Sequence, residues 1–360
     1  MNTSIIKWSL TQLGWNSEFD MHFKSYALQG YEVGRVVSEQ KQLYRLLTEN
    51  GEVLAKVSGK MRFQATARED FPAVGDWVII SLHDGGERAS IHGMLPRQSK
   101  FARKTAGTET EEQIIAANID TVFLVNALNY DFNVRRMERY LTLAWDSGAN
   151  PVIVLSKADL CTEVAARLAE AKEIALGVPV HVISSLTGEG LNQLVAYLQV
   201  GKTIAMLGSS GAGKSTMLNF FYGHDIQRVQ AVRQGDDRGR HTTTSRELVI
   251  LPQGGLIIDT PGMRELQLWG SVSGLQDSFG DVEELARQCR FSDCQHEKEP
   301  GCAVQSALQA GVMGQTRFDS YLKLKKELAY LSRKVNQAEA LAEKAKWKKI
   351  RQVQKTFKHH

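Results

Sequence analysis

The sequence predicts three structurally different parts: a small β-barrel, a mainly parallel α/β domain and a helical C-terminal region. Short β-forming runs separated by turns occupy the first part, and apolar strands alternate with helical patterns in the second. In the third part, helical patterns surround a group of cysteines. A chain of 360 residues is long enough for two or three domains that each bury a core. The predicted domains are residues 1–104, 105–270 and 271–360.

The barrel prediction rests on five short β-forming runs near the N-terminus. Asn50-Gly51 stands between two of them and supplies the positive φ angles that a tight hairpin needs. Five such strands in one short segment favour a small closed barrel, and a purely structural β-domain without a ligand is an equally good interpretation of the pattern. The predicted strands are residues 31–37, 42–47, 53–57, 76–82 and 88–95.

The α/β prediction follows from a change of pattern after residues 105–113, a polar and acidic stretch that we interpret as a linker. Short apolar strands then alternate with helical patterns, which is typical of a mainly parallel sheet covered on both faces. The predicted strands are residues 119–126, 151–155, 180–184, 203–207 and 256–259. The predicted helices are residues 134–144, 163–176 and 191–198.

Composition argues against several classes of protein. No apolar run approaches the roughly 18 residues that span a bilayer, and the N-terminus lacks the charged leader and apolar stretch of a signal peptide. Three of the four cysteines fall close together with a histidine, which favours a metal site in a reducing compartment over a disulfide framework. We therefore expect a soluble, cytoplasmic protein.

A phosphate-binding loop is the most specific motif in the sequence. Residues 208–215 read G-S-S-G-A-G-K-S and match the pattern G-x-x-x-x-G-K-[ST] between a predicted strand and a predicted helix. The glycines let backbone N–H groups turn toward phosphates, and the helix N-terminus adds the positive end of its dipole. We expect Lys214 to contact the β- and γ-phosphates and Ser215 to hold Mg²⁺.

Two weaker motifs follow the phosphate loop. Asp259-Thr-Pro-Gly262 comes at the end of an apolar strand, where the carboxylate can reach Mg²⁺ through water and the Gly262 amide can sense the γ-phosphate. Gly239-Arg-His-Thr-Thr-Thr244 can supply a threonine to the metal when a triphosphate orders it, with Thr243 as the first choice. Taken alone, the second segment is also compatible with an ordinary loop.

Two loops earlier in the chain are compatible with recognition of a base. Residues 156–159 read S-K-A-D after a predicted strand, close to the N-K-x-D element in which the aspartate accepts hydrogen bonds from guanine. Ser184-Ser185-Leu186, after the next strand, fits the companion loop that supports the guanine carbonyl. Each pattern alone is more often a plain turn, and the prediction depends on their occurrence together with the phosphate loop.

The order of these motifs is that of a circular permutation, because the base-reading loops precede the phosphate loop. With this order, with G-R-H-T-T-T at 239–244 and with C-x4-C-x-H-x5-C at 289–302, the sequence resembles the RsgA (YjeQ/YloQ) family of bacterial ribosome-assembly GTPases. The resemblance covers nearly the whole chain. It implies an N-terminal OB-fold barrel, a circularly permuted P-loop GTPase domain of the TRAFAC class and a C-terminal zinc-binding domain with a helical tail.

One position departs from the family pattern. The family usually has Asn or Thr where Ser156 stands, so we expect a lost contact to the nucleotide loop and weaker affinity, with guanine specificity kept by Asp159. The residues assigned to nucleotide binding are Ser156, Lys157, Ala158, Asp159, Ser184, Ser185, Gly208, Ser209, Ser210, Gly211, Ala212, Gly213, Lys214, Ser215 and Thr216. The residues assigned to Mg²⁺ are Ser215, Thr243 and Asp259.

The catalytic prediction starts from Met263, which stands directly after D-T-P-G, where many GTPases carry the glutamine that orients the attacking water. A thioether cannot orient water, and His241 is the candidate replacement that the resemblance also implies. A solvated loop histidine or an RNA contact is the alternative for His241. The residues assigned to catalysis are His241, Thr243, Asp259 and Gly262. We expect slow hydrolysis by the isolated protein and stimulation by a partner.

The cysteine group supplies three thiolates and one imidazole, a complete tetrahedral shell for one structural Zn²⁺ ion. The spacing differs from paired C-x-x-C knuckles, so incidental cysteines stay open as the alternative from spacing alone, and the resemblance favours zinc. Cys161 lies far away in the sequence and is interpreted as a packed or surface thiol. The residues assigned to zinc are Cys289, Cys294, His296 and Cys302.

The C-terminal segment concentrates positive charge. Residues 323–360 carry twelve Lys or Arg and three Glu, a net charge of +9 in a chain whose total is +4. Trp347 and Phe357 stand among these cations as in many RNA-binding segments, with a solvated charged helix end as the alternative. An apolar stripe before and within this segment predicts packing against the zinc domain. The stripe consists of Tyr321, Leu324, Leu328 and Leu331.

Together with the resemblance, these features predict a GTP hydrolase that acts late in small ribosomal subunit biogenesis and binds rRNA. The expected partners are GTP or GDP, the small subunit and other assembly factors, with no membrane and a monomeric chain. Two alternatives stay open: a GTP-dependent RNA-binding checkpoint in which hydrolysis only drives release, and a diverged paralogue with weakened nucleotide affinity. A P-loop kinase or ATPase conflicts with Asp159 and D-T-P-G.

Overall fold

The computed structural model describes residues 7–104, 112–223, 246–259, 273–297 and 299–330. The strands are β1 (Glu32–Gln40), β2 (Leu43–Thr48), β3 (Gly51–Val57), β4 (Trp77–His83), β5 (Arg88–Met94), β6 (Lys100–Lys104), β7 (Glu112–Ala117), β8 (Thr121–Ala127), β9 (Asn150–Ser156), β10 (Val180–Val182), β11 (Thr203–Gly208), β12 (Glu247–Ile250) and β13 (Leu256–Asp259). The helices are α1 (Ser17–Ala27), α2 (Gly59–Gln64), α3 (Val134–Ser147), α4 (Val164–Ile174), α5 (Leu191–Val195), α6 (Lys214–Tyr222), α7 (Ser273–Ser278), α8 (Gly280–Arg287) and α9 (Ala303–Gln309). A C-terminal helix is described over residues 315–330.

Strands β1 to β5 form the predicted barrel. Their order is β1-β2-β3-β5-β4, and β4 pairs back onto β1, so the sheet closes. Only β3 and β5 run parallel among these neighbours. Inward and outward side chains alternate strictly along β3, as a half-buried strand requires. Each observed strand overlaps its predicted run, and the five-stranded barrel is confirmed.

The chain between the barrel and the α/β domain differs from the predicted linker. β6 and β7 form an antiparallel two-stranded sheet, and β7 includes residues 112 and 113 of that linker. Residues 105–111 lie outside the described part of the chain. Ile115 is fully buried. Ile115 lies just beyond the predicted linker, and its burial together with the pairing with β6 explains why the chain forms a strand here.

The central domain is built on a mainly parallel sheet with the order β10-β9-β8-β11-β13-β12. Neighbours from β10 to β13 run parallel, and β12 is antiparallel to β13. Successive side chains of β8 enter different cores: Val122 and Leu124 pack on the face that contains α3, while Phe123 and Val125 pack on the face of α5 and α6. The predicted α/β layering is confirmed.

The C-terminal helices pack directly onto the central domain. Gly274 of α7 lies so close to α3 that a Cβ would come within 2.5 Å of the Thr142 carbonyl oxygen. Arg317, on the C-terminal helix, donates to Glu138 of α3 at 3.2 Å and to Asp281 of α8 at 2.8 Å. The stripe residues Tyr321, Leu324 and Leu328 are buried, as predicted, and Leu331 lies outside the described residues.

The barrel and the central domain meet at a buried arginine. Arg35 of β1 is 1% exposed and donates to the Gly75 carbonyl, the Asn118 carbonyl and the Thr203 hydroxyl. Thr203 opens β11, so the barrel contacts the strand that leads to the phosphate loop. Within the described residues, we find no helix with the length and apolar character that crossing a membrane demands.

Candidate nucleotide and metal sites

The predicted nucleotide-binding residues follow the carboxyl ends of neighbouring strands. Ser156 ends β9, Gly208 ends β11 and Asp259 ends β13, while Ser184 comes just after β10. Because these strands run parallel, their carboxyl ends share one edge of the sheet, which is where open α/β sheets bind ligands. The fold therefore brings the phosphate loop, the two base-reading loops and Asp259 to one crevice.

The phosphate loop has the backbone that its glycines predict. A Cβ on Gly208 would lie 2.3 Å from the Val125 carbonyl oxygen, so β11 and β8 approach too closely for any other residue. Gly213 has a φ of +95°, in the left-handed region, and α6 starts directly after it. The exposed residues of the loop and first helical turn are Ser210, Gly211, Ser215 and Thr216. This leaves Ser215 on the first turn of a helix whose N-terminus faces the crevice.

Lys214 folds back over the loop. Its ammonium group donates to the Gly208 carbonyl at 2.8 Å and to the Ser209 carbonyl at 2.6 Å. The Ser209 carbonyl also accepts from the Ala212 N–H at 3.4 Å, which closes a turn inside the loop. The lysine is thus held beside the place where the motif requires it to meet phosphate oxygens.

Ser156 contacts the phosphate loop, which corrects the expectation that a residue other than Asn would leave it without this contact. The Ser156 hydroxyl donates to the Ala212 carbonyl at 2.6 Å and is fully buried. The position of a Cβ on Gly213 would be 3.9 Å from the Ser156 hydroxyl oxygen. The short serine side chain reaches the loop backbone from the end of β9, so a serine can hold it.

Hydrogen bonds connect the two base-reading loops. The Ser184 hydroxyl donates to the Asp159 carboxylate at 2.5 Å and accepts from the Thr187 N–H at 3.2 Å. Lys157 lies in the left-handed region with a φ of +60°, and the Ala158 N–H donates to the Ile183 carbonyl at 3.1 Å. Asp159 is thereby fixed at the crevice with one carboxylate oxygen bonded to Ser184.

Ser185, also predicted to bind the nucleotide, has a buried hydroxyl oxygen with no hydrogen-bond partner in the structure. Buried polar atoms without partners are uncommon and often indicate a group that meets a ligand. This atom lies directly after Ser184, on the loop predicted to support a guanine carbonyl. The observation fits an incoming hydrogen-bonding ligand at this loop.

Asp131 is a residue of the site that the sequence patterns did not indicate. It lies between β8 and α3, and its carboxylate accepts from the Ser209 hydroxyl of the phosphate loop. Arg136 of α3 donates to the same carboxylate at 2.9 Å. No motif marks this aspartate, because its contact joins residues 78 positions apart.

Several predicted residues lie outside the described part of the chain. They are His241, Thr243 and Gly262, together with Thr244 and the basic segment beyond residue 330. Of the predicted Mg²⁺ ligands, Ser215 and Asp259 are described. Asp259 ends β13 next to β11, and Ser215 starts the helix after β11, so both stand at the same end of two paired strands. Hydroxyl and carboxylate oxygens at this place suit a hard cation such as Mg²⁺.

The cysteine group forms a compact cluster. The ligand atoms of Cys289, Cys294, His296 and Cys302 all lie within 4.8 Å of one another. The Cys289 and Cys302 sulfurs are 3.8 Å apart, and each is 3.5 Å from His296 Nδ1. Tetrahedral bonds of about 2.3 Å to sulfur and 2.0 Å to nitrogen give edges of about 3.8 and 3.5 Å. The residues present therefore fit a tetrahedral metal ion.

Hydrogen bonds, burial and mutual repulsion of the thiolates affect the ionisation of this cluster in a way that favours a bound cation. Burial acts to raise the pKa of Cys289, but hydrogen bonds from the Val304 and Ala303 N–H groups outweigh it and the pKa falls below that of an ordinary thiol. Burial and the neighbouring thiols raise the pKa of Cys294 to about 11. Several thiolates at this spacing repel one another, so a bound cation would stabilise the ionised set.

Neighbouring residues hold the histidine of the cluster. Gln305 of α9 donates to the His296 carbonyl at 2.5 Å, and the Phe318 ring lies 6.2 Å from the imidazole ring. Burial lowers the pKa of His296, which keeps the imidazole in the neutral form that binds metals. Cys161 lies outside the cluster, is partly buried and packs against the core, which agrees with the first of its two interpretations, a packed or a surface thiol.

Comparison with known proteins identifies the family. A family model described as RsgA GTPase matches residues 94–269. The small ribosomal subunit biogenesis GTPase RsgA 1 of Oceanobacillus iheyensis is 47% identical over 324 residues, which cover 90% of this chain and 92% of that protein. The chain belongs to the RsgA GTPase family. Its relative in Opitutus terrae, named small ribosomal subunit biogenesis GTPase RsgA, is 44% identical and covers 96% of this chain and 97% of that protein.

Solved structures of the family agree with the fold. The crystal structure of YjeQ from Thermotoga maritima has a TM-score of 0.62 and 30% identity, and covers 83% of this chain and 99% of that chain. YloQ, described as a circularly permuted GTPase, has a TM-score of 0.60 over 84% of this chain and 96% of its own, and at 22% identity it supports the fold alone.

A second family model, described as ABC transporter, matches residues 191–358. That range includes the phosphate loop and α6, which P-loop proteins of many kinds share. It leaves out Asp159 and Ser184, whose hydrogen bond belongs to the base-reading side of the crevice. The match to this second family model therefore covers the phosphate loop and leaves out the residues predicted to recognise the base.

Proposed function

We propose that this protein is a GTP hydrolase that acts in small ribosomal subunit biogenesis. The observation that carries the proposal is the Asp159 carboxylate, which Ser184 holds at 2.5 Å at the same sheet edge as the phosphate loop. A carboxylate in this position accepts hydrogen bonds from the N1–H and 2-amino groups of guanine, and adenine lacks both donors. The names of the Oceanobacillus iheyensis and Opitutus terrae relatives support the ribosomal role.

In this proposal, each described residue of the crevice has a defined role. Lys214 contacts the β- and γ-phosphates, and the backbone of the loop from Gly208 to Gly213 donates to them. Ser215 and Asp259 hold the Mg²⁺ ion that accompanies GTP, together with Thr243. Lys157 packs over the base that Asp159 reads, and Ser185 supports its carbonyl group.

His241 orients the attacking water in the proposed mechanism, because Met263 follows D-T-P-G and has no group that can do so. We infer that the isolated protein hydrolyses GTP slowly and that docking on the small subunit places the segment around His241 and Thr243 productively. The other expected partners are rRNA, GDP and further assembly factors, and we propose that the protein acts as a monomer in the cytoplasm.

Zn²⁺ is the metal we propose for the cluster of Cys289, Cys294, His296 and Cys302. Three thiolates and an imidazole suit this ion, and four protein ligands leave no position for a substrate. The ion would therefore stabilise the C-terminal domain and take no part in hydrolysis. The basic segment beyond residue 330 is proposed to bind rRNA phosphates.

Nucleotide selectivity tests the proposal directly. The wild-type protein is expected to bind GTP and GDP in preference to ATP, and Asp159→Asn is expected to shift this preference toward xanthosine nucleotides, since the amide complements their oxygen. Fluorescent-nucleotide competition measures both, with the exposed barrel variant Asp84→Asn as the control. Preference for ATP in the wild type, or an unchanged guanine preference in Asp159→Asn, would contradict the proposal.

A further inference from the structure

The loop between β8 and α3 approaches the nucleotide crevice and is held firmly at both ends. Asn133 caps α3 by accepting from the Arg136 N–H at 3.0 Å, and Asn126 donates to the Asn133 carbonyl at 3.3 Å. Inside the loop, the Asn129 side chain accepts from the Asp131 N–H at 3.1 Å. These bonds fix the backbone of Asp131 relative to the sheet edge.

The Asp131 carboxylate uses both oxygens. Oδ1 accepts from Arg136 at 2.9 Å, Oδ2 accepts from the Ser209 hydroxyl, and Arg136 also donates to the Asp131 carbonyl. The side chain is 27% exposed, so the pair is only partly screened by water. An arginine fork on the carboxylate and on the same residue's carbonyl leaves Asp131 little freedom to rotate.

Ser209 connects Asp131 to the lysine of the phosphate loop. Its hydroxyl is bound to Asp131, and its carbonyl accepts from the Lys214 ammonium group at 2.6 Å. Ser209 is therefore bound to the Asp131 carboxylate through its side chain and to Lys214 through its backbone carbonyl. Displacement of Ser209 would move the group that meets the β- and γ-phosphates.

The positive charge of Lys157, on a base-reading loop, also affects the pKa of the Asp131 carboxyl group. Burial acts to raise the pKa of Asp131, but the hydrogen bonds from Ser209 and Arg136 and the charges of Arg136 and Lys157 outweigh it, so the pKa lies below that of an ordinary aspartate. The carboxylate is thus ionised at neutral pH and accepts hydrogen bonds without donating one. It stands within electrostatic reach of Lys157 and in contact with the phosphate loop.

We propose that Asp131, held by Arg136, is a positioning residue that fixes Ser209 of the phosphate loop and thereby the Lys214 ammonium group for nucleotide binding. The proposal rests on the proposed function, because it assumes that the crevice takes GTP and GDP. In this proposal, the β8–α3 loop lines one side of the nucleotide crevice. Asp131 does not touch phosphate in this scheme and takes no part in proton transfer.

If Asp131 acted only through its charge, removal of its carboxylate would raise nucleotide affinity. If it acts by positioning Ser209, the same removal would lower nucleotide affinity. Removing a negative charge close to the phosphates would by itself tighten nucleotide binding. Losing the hydrogen bond that fixes Ser209 would weaken it, by about tenfold for one charge-assisted bond. The sign of the change in affinity therefore separates the two roles.

The test is a double-mutant cycle on GDP affinity and GDP dissociation rate with Asp131→Ala, Ser209→Ala and the double variant. We expect each single variant to weaken GDP binding about tenfold, mostly through faster dissociation, and the double variant to be no weaker than the weaker single variant. Asp131→Asn, which keeps an acceptor oxygen for Ser209, is expected to recover part of the affinity. The free energy of unfolding, measured on the same variants, separates this effect from loss of structure.

Asp84→Asn serves as the matched control, since this aspartate pairs with Arg88 on the exposed side of the barrel. Unchanged or tighter GDP binding by Asp131→Ala, or losses that multiply in the double variant, would overturn the proposal. Failure of the wild-type protein to bind GDP at all would instead contradict the proposed function. The two failures are thus distinguished within one set of measurements.

Discussion

Ser156 shows how a single hydroxyl can hold a phosphate loop. Its bond to the Ala212 carbonyl joins residues 56 positions apart at 2.6 Å. The sequence indicated the residue from its place in S-K-A-D but not this bond, because the reach of a serine depends on the path of the glycine-rich loop, and the weaker affinity expected from Ser156 stays a prediction. That path is a property of the folded site.

Ser156→Ala is expected to weaken GDP binding about three- to tenfold, because it leaves the Ala212 carbonyl buried without this donor. Isothermal titration measures the change, and Ser25→Ala on the exposed face of α1 is the control. An affinity equal to that of the wild type would show that the bond does not support the loop.

The residues of the site differ in how far sequence predicts them. Gly208, Lys214 and Ser215 belong to a contiguous motif whose chemistry needs each residue type, so pattern alone places them. Asp131 and Ser209 meet only because β8 and β11 are neighbours in the sheet. A contact of this kind depends on strand order, which no local pattern contains.

At the level of elements, strands with continuous apolar runs are predicted well. β13 has the predicted bounds, and the other central strands overlap their predicted ranges. β7 and β12 contain polar residues and are not indicated by the apolar pattern, and they form through pairing with β6 and β13. α1 is marked by Asn16, whose side chain accepts from the Glu18 and Phe19 N–H groups, a cap that the sequence prediction did not use.

The metal cluster predicts a clear difference between two cysteine variants. Cys302→Ser is expected to lose the metal and to lower the free energy of unfolding, because it removes one ligand of four, while the serine hydroxyl can still cap α9. Cys161→Ser, outside the cluster, is expected to keep one zinc ion per chain. Metal analysis of the purified variants measures both, and a zinc content near zero in the wild type would contradict the site.

The C-terminal helix is anchored by Arg317, which binds Glu138 and Asp281 and lies over the Phe279 ring at 4.6 Å. Glu138 is nearly fully buried, so Arg317→Ala would leave its charge without the arginine that pairs with it. We expect the variant to lower the free energy of unfolding by about 3 kcal/mol.

Urea unfolding measures this loss, and Arg287→Ala is the matched control because its ion pair with Glu284 is exposed. Equal stability of the Arg317 and Arg287 variants would contradict the anchoring role. The comparison separates a buried ion pair that joins two domains from an ion pair within one helix.

At the scale of the whole molecule, Arg35 joins the barrel to the strand that carries the phosphate loop. Its guanidinium group meets carbonyl oxygens and a hydroxyl, and burial lowers the pKa of Arg35 to about 10 despite the charges of Asp120 and Asp76. The arginine therefore stays protonated at neutral pH. Its hydrogen bond to Thr203 connects the barrel to β11.

Arg35→Met is expected to lower the free energy of unfolding by about 3 kcal/mol, since the buried carbonyl groups of Leu13 and Asn118 lose the arginine as their donor. Urea unfolding is followed separately by Trp77 fluorescence, with the other five tryptophans replaced by phenylalanine, and by nucleotide release, and it measures whether barrel and crevice still unfold together. Arg88→Ala, on the exposed side of the barrel, is the control. Coincident transitions at wild-type stability would contradict the coupling.

We propose that the GTPase site at the carboxyl edge of the parallel sheet depends on a partner for rapid hydrolysis. GTP turnover with and without purified small ribosomal subunits tests it most directly, with His241→Ala compared at equal GTP occupancy. We predict slow turnover by the wild-type protein alone, strong stimulation by subunits, and loss of that stimulation in His241→Ala with GTP binding intact. Equal wild-type turnover with and without subunits would contradict the account.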